Sequence, residues 1–110
     1  MRTYPTFSLL FMLTTVLPLS AVQAADEFEP KQLYVQSLAA TCANCHGTDG
    51  HALNGATVPG LAGRSADELI AQMKAFRSGE RKATIMHQIA KGFSDTQTEQ
   101  LADYFAAQKR

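Results

Sequence analysis

The chain has 110 residues, with 10 basic side chains, 10 acidic side chains, three His and two Cys, and 45% of its residues are hydrophobic. This length predicts no more than one small domain. The balanced charge excludes a protein that binds nucleic acid or a membrane surface mainly through electrostatic attraction. The apolar fraction excludes a wholly disordered chain.

The first 24 residues have the organisation of a secretory signal peptide. Arg2 supplies a positive charge, 13 uncharged residues follow from Phe7 to Leu19, and small residues surround Ala24. A helix of this length rises about 20 Å, whereas the hydrocarbon core of a membrane is roughly 30 Å thick. We therefore predict export to the periplasm, cleavage after Ala24 and no stable membrane insertion.

Residues 25–110 are predicted to form a single all-α domain. They contain no alternating run of Val, Ile and Thr, and helix-forming residue types dominate outside one Gly-rich stretch. Larger apolar residues are few for a domain of this size, so we expect a bound group or a covalent link to strengthen the core.

The first predicted helix begins at Pro30, a residue suited to a first turn, and ends at Ala43, with Leu33 and Leu38 on its apolar side. Residues 47–63 hold five Gly and are predicted to form a loop. Because a loop of this length is uncommon in a small domain unless it has a function, we expect it to wrap around a bound group.

Three further helices complete the prediction of about four short helices. The second opens with a capping box at residues 65–68 and ends at Gly79. A short helix covers residues 85–91, with Gly92 as its C-cap, and the last helix begins with a capping box at residues 94–97.

The segment Cys42-Ala-Asn-Cys45-His46 has the spacing C-x-x-C-H, which attaches haem covalently in c-type proteins. Two Cys three positions apart project from the same side of a helical turn, so both thiols can reach the vinyl groups on one edge of a porphyrin. His46 follows directly and can bind the iron. The motif therefore predicts one haem c, held by Cys42 and Cys45 and ligated by His46.

Three other interpretations of the two Cys carry less weight. A thiol–disulfide redox pair normally lies at a strand-to-helix turn, and no strand is predicted. A structural zinc site needs four ligands, and the chain has no second Cys pair. An ordinary short disulfide is the third, and the C-x-x-C-H spacing in an exported, helical, Ala-rich chain favours covalent haem over it.

The candidates for a second axial ligand are Met73, Met86, His51 and His87. Met73 lies on the apolar stripe of the second helix, where a Met is more often a core residue. His51 is close to His46 in sequence, and His87 neighbours Met86, so neither is well placed to reach the opposite haem face. Met86 follows a turn far enough along the chain to lie over that face, and it is the favoured ligand.

These motifs resemble class I c-type cytochromes over residues 25–110. The segment Pro59-Gly-Leu-Ala-Gly63 is similar to the family segment whose Pro carbonyl accepts a hydrogen bond from the His ligand. The resemblance therefore implies that Pro59 orients His46. Residues 101–105, Leu-Ala-Asp-Tyr-Phe, resemble the family's C-terminal helix, which crosses the N-terminal helix beside the haem.

A narrower resemblance links residues 78–81 and 85–92 to the cytochrome subunit of flavocytochrome c sulfide dehydrogenase, in its single-haem form. In that family the Met of the second segment is the ligand, which again favours Met86. Many such subunits carry two haem domains, whereas this chain has one C-x-x-C-H motif.

The expected function is that of a periplasmic one-electron carrier with His/Met-ligated haem c, rather than an enzyme, because six-coordinate iron has no open position for substrate. The resemblance implies that it accepts electrons from a sulfide-oxidising flavoprotein subunit. On that hypothesis, His87 or the segment 81–91 is expected to touch the partner. The first alternative is a free cytochrome c that shuttles between respiratory complexes. An open-iron, gas-binding haem protein and a haem-free thiol oxidoreductase are the remaining alternatives.

Overall fold

The computed structural model describes residues 29–110, which form five α-helices and two short 3-10 turns. The helices are α1 (Pro30–Ala40), α2 (Ala43–His46), α3 (Ala66–Ser78), α4 (Met86–Ile89) and α5 (Asp95–Ala106). No strand occurs in this range, so the prediction of an all-α fold is confirmed. The predicted signal peptide, residues 1–24, lies outside it. Among residues 29–110, no helix combines the length and the apolar character needed to cross a bilayer.

The first helix is shorter than predicted, because it ends at Ala40 instead of Ala43. The backbone N–H of Thr41 bonds to Leu38 O at 3.1 Å, and the Thr41 hydroxyl donates to the same oxygen at 2.7 Å. These contacts satisfy a terminal carbonyl locally and end α1. The C-x-x-C-H motif therefore starts a separate short helix, α2, which brings the number of helices to five.

The prediction that Leu33 lies on the apolar side of α1 is wrong. Leu33 is 55% exposed, whereas Leu38 packs against the core and Ala39 is buried. The buried residue of the helix, Ala39, therefore lies near its C-terminal end, close to Cys42.

The capping box predicted for α3 forms in part. Ser65 Oγ accepts the Glu68 backbone N–H at 3.5 Å, but the Glu68 carboxylate accepts from Arg64 at 2.6 Å instead of from the Ser65 N–H. The helix ends as predicted at Gly79, which has a left-handed backbone conformation with φ of +80°.

The last helix, α5, has the complete capping box that was predicted. Gln97 N–H donates to Ser94 Oγ at 3.2 Å, and Ser94 N–H donates to Gln97 Oε1 at 2.9 Å. The short helix before it differs from the prediction. It ends at Ile89, Gly92 belongs to a 3-10 turn, and Gly92 does not adopt the left-handed conformation expected of a C-cap.

Helix α5 packs against both α1 and α3. The buried apolar cluster at their contact is small and consists of Ala39, Leu69, Leu101, Ala102 and Phe105. Leu69, Leu101, Ala102 and Phe105 also line a cleft, so much of the apolar surface of the domain faces an internal space instead of protein.

Candidate haem site

A cleft of about 480 Å³ opens between the helices. All five residues predicted for the site line it, namely Cys42, Cys45, His46, Pro59 and Met86. They come from α2, from the Gly-rich loop and from α4, so the fold brings together residues that are distant in sequence.

The imidazole of His46 is held in one orientation. The side chain is only 9% exposed, and its Nδ1 lies 2.7 Å from the carbonyl oxygen of Pro59. Because a carbonyl oxygen can only accept, Nδ1 must carry the proton. The Nε2 lone pair is therefore the one left to bind a metal ion.

The chain after His46 turns sharply. Gly47 has φ of +84°, and a Cβ atom there would lie 1.9 Å from the His51 carbonyl oxygen, so only Gly fits. The carbonyl oxygen of Gly50 then accepts backbone N–H groups from Leu61 at 2.8 Å and Ala62 at 3.1 Å. These bonds fold the loop back on itself and bring Pro59 to the imidazole.

Cys42 and Cys45 form no disulfide, and Cys42 is half-buried whereas Cys45 is exposed. Burial raises the pKa of the Cys42 thiol, a hydrogen bond with Thr41 opposes the shift, and the neighbouring Cys45 adds to it. Within residues 29–110, no group of three or more His, Cys, Asp or Glu could hold a metal ion.

The candidates for the second axial ligand fall into two groups. Met73 and Met86 line the cleft, whereas His51 and His87 are not among its lining residues. The His51 ring instead joins two segments, with Nδ1 3.1 Å from Thr48 O and Nε2 2.7 Å from the carbonyl oxygen of Lys109.

Sequence reasoning missed Arg64 and Gln72, whose polar side chains also line the cleft. The Gln72 Oε1 atom is buried and has no hydrogen-bond partner in the described part of the chain. Gln72 lies three positions after Leu69, so helical spacing could have placed it on the cleft side of α3. The position of Arg64 depends on tertiary contacts that the sequence does not reveal.

These residues fit a haem group. The lining is mostly apolar, the volume is typical of a ligand site, and two thiols, one imidazole nitrogen and a thioether face the same space. The unpartnered Gln72 oxygen also indicates a site that another group completes.

Comparison with known proteins decides the family. The family model for Cytochrome c matches residues 31–109. The cytochrome c-554(548) of Halomonas halodenitrificans is 42% identical over 72 residues, covering 63% of this chain and 86% of that protein. This chain belongs to the cytochrome c family.

Other relatives are components of dehydrogenase systems. The cytochrome subunit of sulfide dehydrogenase from Chlorobaculum tepidum is 34% identical over 62% of this chain and 60% of the relative. A thiosulfate dehydrogenase electron acceptor from Stutzerimonas stutzeri is 44% identical over 59% of this chain and 31% of the relative. The matched region thus spans less than two thirds of both relatives.

Family membership establishes the cofactor and the general role. Members of the cytochrome c family bind haem c covalently, and this chain has the C-x-x-C-H segment at residues 42–46. The protein is an electron carrier or an electron-transfer subunit and is not itself an enzyme.

Proposed function

We propose that this cytochrome c is a periplasmic one-electron carrier in which Cys42 and Cys45 form thioethers to the haem and His46 and Met86 are its axial ligands. Haem c supplies an iron that cycles between the ferric and ferrous states. The observation that carries the proposal is the cleft, because the thiols, the imidazole and the Met86 side chain line one apolar space. Pro59 orients His46 through the carbonyl oxygen that accepts its Nδ1–H.

Separate substitution of the two Met residues that line the cleft tests which of them is the axial ligand. We expect ferric Met86→Ala to lose the weak far-red band that arises from sulfur-to-iron charge transfer. The matched control, Met73→Leu, should keep the band, because Met73 is expected to be a core residue and not a ligand. Leu fills nearly the same volume, so the packing is preserved. Absence of the band from the wild-type protein, together with carbon monoxide binding to the ferrous form, would contradict His/Met ligation and favour the gas-binding alternative.

The proposed electron donor is a sulfide-oxidising flavoprotein subunit. Two relatives support an exchange with dehydrogenases of reduced sulfur compounds, since one is a sulfide dehydrogenase cytochrome subunit and the other a thiosulfate dehydrogenase electron acceptor. A free carrier between respiratory complexes is the alternative. Stable co-purification with a flavoprotein supports the first role, and its absence supports the second.

Charge and exposure support docking at the opening of the cleft. Residues 74–91 contain five basic residues and one acidic residue, whereas the rest of residues 29–110 contains four basic and seven acidic. Ile85 and Ile89 line the cleft and are 53% and 38% exposed. An apolar contact beside a basic rim suits a partner with acidic residues around its redox centre.

The rate at which the donor reduces the protein tests this surface. At low salt, Arg81→Gln and Lys82→Gln should each slow reduction by about threefold, because rim charges act mainly on association. Lys31→Gln is the matched control, since Lys31 lines a different groove, between α1 and α5. His87→Ala tests the same segment without removing a permanent charge. Unchanged kinetics in the Arg81, Lys82 and His87 variants would contradict docking by residues 81–91.

The periplasmic location depends on the N-terminal segment. We expect the protein isolated from the periplasm to begin at Ala25, with a mass that includes one haem. An intact N-terminus in the mass spectrum, or haem protein only in the cytoplasm, would contradict export.

A further inference from the structure

Arg64 connects the loop that orients His46 to the start of α3. Its Nε donates to the carbonyl oxygen of Gly60 at 3.0 Å, and its Nη1 donates to Glu68 Oε1 at 2.6 Å. The side chain also lines the cleft. Gly60 directly follows Pro59, whose carbonyl oxygen accepts the His46 Nδ1–H.

We propose that Arg64 is a positioning residue for His46, acting through the Gly60 and Pro59 carbonyl groups. The inference rests on the proposed role of His46 as an axial ligand. Arg64 holds the peptide plane next to the one that bears the Pro59 oxygen, and it thereby fixes the direction from which that oxygen approaches the imidazole.

Two hydrogen bonds hold the peptide group between Gly60 and Leu61. A Cβ at residue 60 would lie 3.0 Å from the Gly50 oxygen, so close packing leaves little room for a side chain. Gly has the greatest backbone freedom of all residues, so its peptide groups gain most from such contacts. The Leu61 N–H bond to Gly50 O at 2.8 Å holds one side of this peptide group, and the Arg64 bond to the Gly60 carbonyl holds the other.

The planar guanidinium group suits this position better than an ammonium group. Two nitrogens of Arg64 donate to two different acceptors at once, in directions fixed by one plane. A Lys side chain has a single terminal nitrogen, which cannot take the place of Nε on Gly60 while it reaches Glu68. Glu68 also neutralises the charge of Arg64, so the pair acts on His46 mainly through geometry.

The expected change in the reduction potential of the iron has a definite direction. A strong Nδ1–H···O=C bond makes the imidazole a more basic ligand, which favours the ferric state. Loosening the Pro59 carbonyl should therefore raise the reduction potential and expose the Nδ1 proton to exchange with water.

The test uses three variants of the exported, haem-containing protein. Arg64→Lys keeps the charge, and the double variant Arg64→Gln with Glu68→Gln leaves the net charge unchanged. Arg110→Gln is the matched control, because Arg110 Nε donates to the Gly63 carbonyl oxygen of the same loop, also at 3.0 Å. The measurements are the reduction potential and the exchange rate of the His46 Nδ1 proton by NMR.

We expect the His46 Nδ1 proton to exchange about tenfold faster in both Arg64 variants, which is the factor that corresponds to the loss of one hydrogen bond. Both variants should also have a more positive reduction potential. The Arg110 variant should match the wild type in both. Arg64 variants with wild-type exchange and potential, whatever their thermal stability, would overturn the proposal. Equal changes in the Arg110 variant would overturn it too, because any tether of the loop would then suffice.

The wild-type spectrum separates this inference from the proposed function. If the far-red band is present in the wild type and Arg64 variants behave like it, only the positioning role fails. If wild-type His46 does not bind the iron, both proposals fail together.

Discussion

The two sides of the cleft are held in different ways. The His46 wall, residues 46–64, is joined by hydrogen bonds to itself, to α5 and to the residues after α5, among them Asp49 to Tyr104 and His51 to Lys109. The Met86 segment, residues 79–92, is much less tied. In the described part of the chain, no side-chain hydrogen bond joins residues 81–92 to another segment.

The Met86 segment is held instead mainly by packing against α3. At its start, Arg81 donates its backbone N–H to Ala75 O at 3.0 Å, and its guanidinium lies 4.8 Å from the centre of the Phe76 ring. Hydrogen bonds thus hold the imidazole, whereas packing and one backbone hydrogen bond hold the segment around Met86. Variants on the two sides of the cleft test this contrast.

The largest effect is expected at Gly47, in the His46 wall. Gly47→Ala should lower the free energy of unfolding by about 3 kcal/mol. At φ of 84° and ψ of 158°, Gly47 lies in a backbone region that is essentially restricted to Gly and costs other residues about 1–3 kcal/mol, and overlap with the His51 oxygen adds a packing cost. Gly79→Ala is the matched control. Gly79 has φ of +80°, but a Cβ there would meet no atom within 4 Å. The control should lose only about 1 kcal/mol.

Denaturant unfolding followed by haem absorbance measures both variants. Similar losses at Gly47 and Gly79 would show that the His46 wall is no more constrained than the Met86 segment, and would contradict the contrast drawn above.

An intermediate effect is expected from the bond between the His46 wall and α5. Tyr104→Phe removes the donor to Asp49 and should cost about 1 kcal/mol, since the pair is largely exposed. The hydrogen bond to Asp49, with a smaller contribution from burial, raises the pKa of Tyr104 to about 12 from its ordinary value of 10.0. The stabilisation is therefore fully present below pH 10 and is lost as the pH rises towards 12.

Unfolding experiments on wild type and Tyr104→Phe across pH 8 to 12 would check this. The two stabilities should differ below about pH 10 and converge above it. A constant difference across the range would contradict the assigned hydrogen bond.

The smallest effect is expected from the ion pair between α3 and α5, the helices that precede and follow the Met86 segment. Arg77 Nη1 lies 2.6 Å from Asp95 Oδ1, and both groups are partly exposed, so the pair contributes little. The hydrogen bond from Arg77 holds the pKa of Asp95 below its ordinary 3.8. The stabilisation by the ion pair is fully present above pH 3.8 and is lost as the pH falls through the lowered pKa of Asp95.

Asp95→Asn should therefore be slightly less stable than wild type at pH 7 and equal to it in strong acid, as measured by thermal unfolding. Arg77 also donates to Thr98 Oγ1 at 3.3 Å, so the variant retains a link between α3 and α5. A loss as large as that of Gly47→Ala would mean that the Met86 segment depends on this pair more than on packing.

The sequence predicted those features that depend on short-range spacing. The C-x-x-C-H segment, the capping box at Ser94 and the C-cap at Gly79 each involve residues within one helical turn, and the structure contains all three. Local chemistry also explains the shortened α1, since Thr41 bonds back to Leu38.

The remaining features depend on contacts between distant segments. Nothing in the sequence links His51 to the C-terminal residues, yet its Nε2 lies 2.7 Å from a carbonyl oxygen 58 positions away. The Asp49–Tyr104 bond spans 55 positions, and no pattern in either segment reveals it. Glu68 matched a capping box, but Arg64 competes successfully for its carboxylate. Such outcomes depend on which groups tertiary packing brings together.

The loose attachment of the Met86 segment has an evolutionary consequence. Substitutions at exposed positions such as Lys82, Ile85 and Ile89 alter the docking surface proposed above, while the hydrogen bonds that hold His46 lie elsewhere. Descendants of one ancestral carrier can therefore acquire new donors or acceptors through changes in a single short stretch, without rebuilding the imidazole side of the cleft.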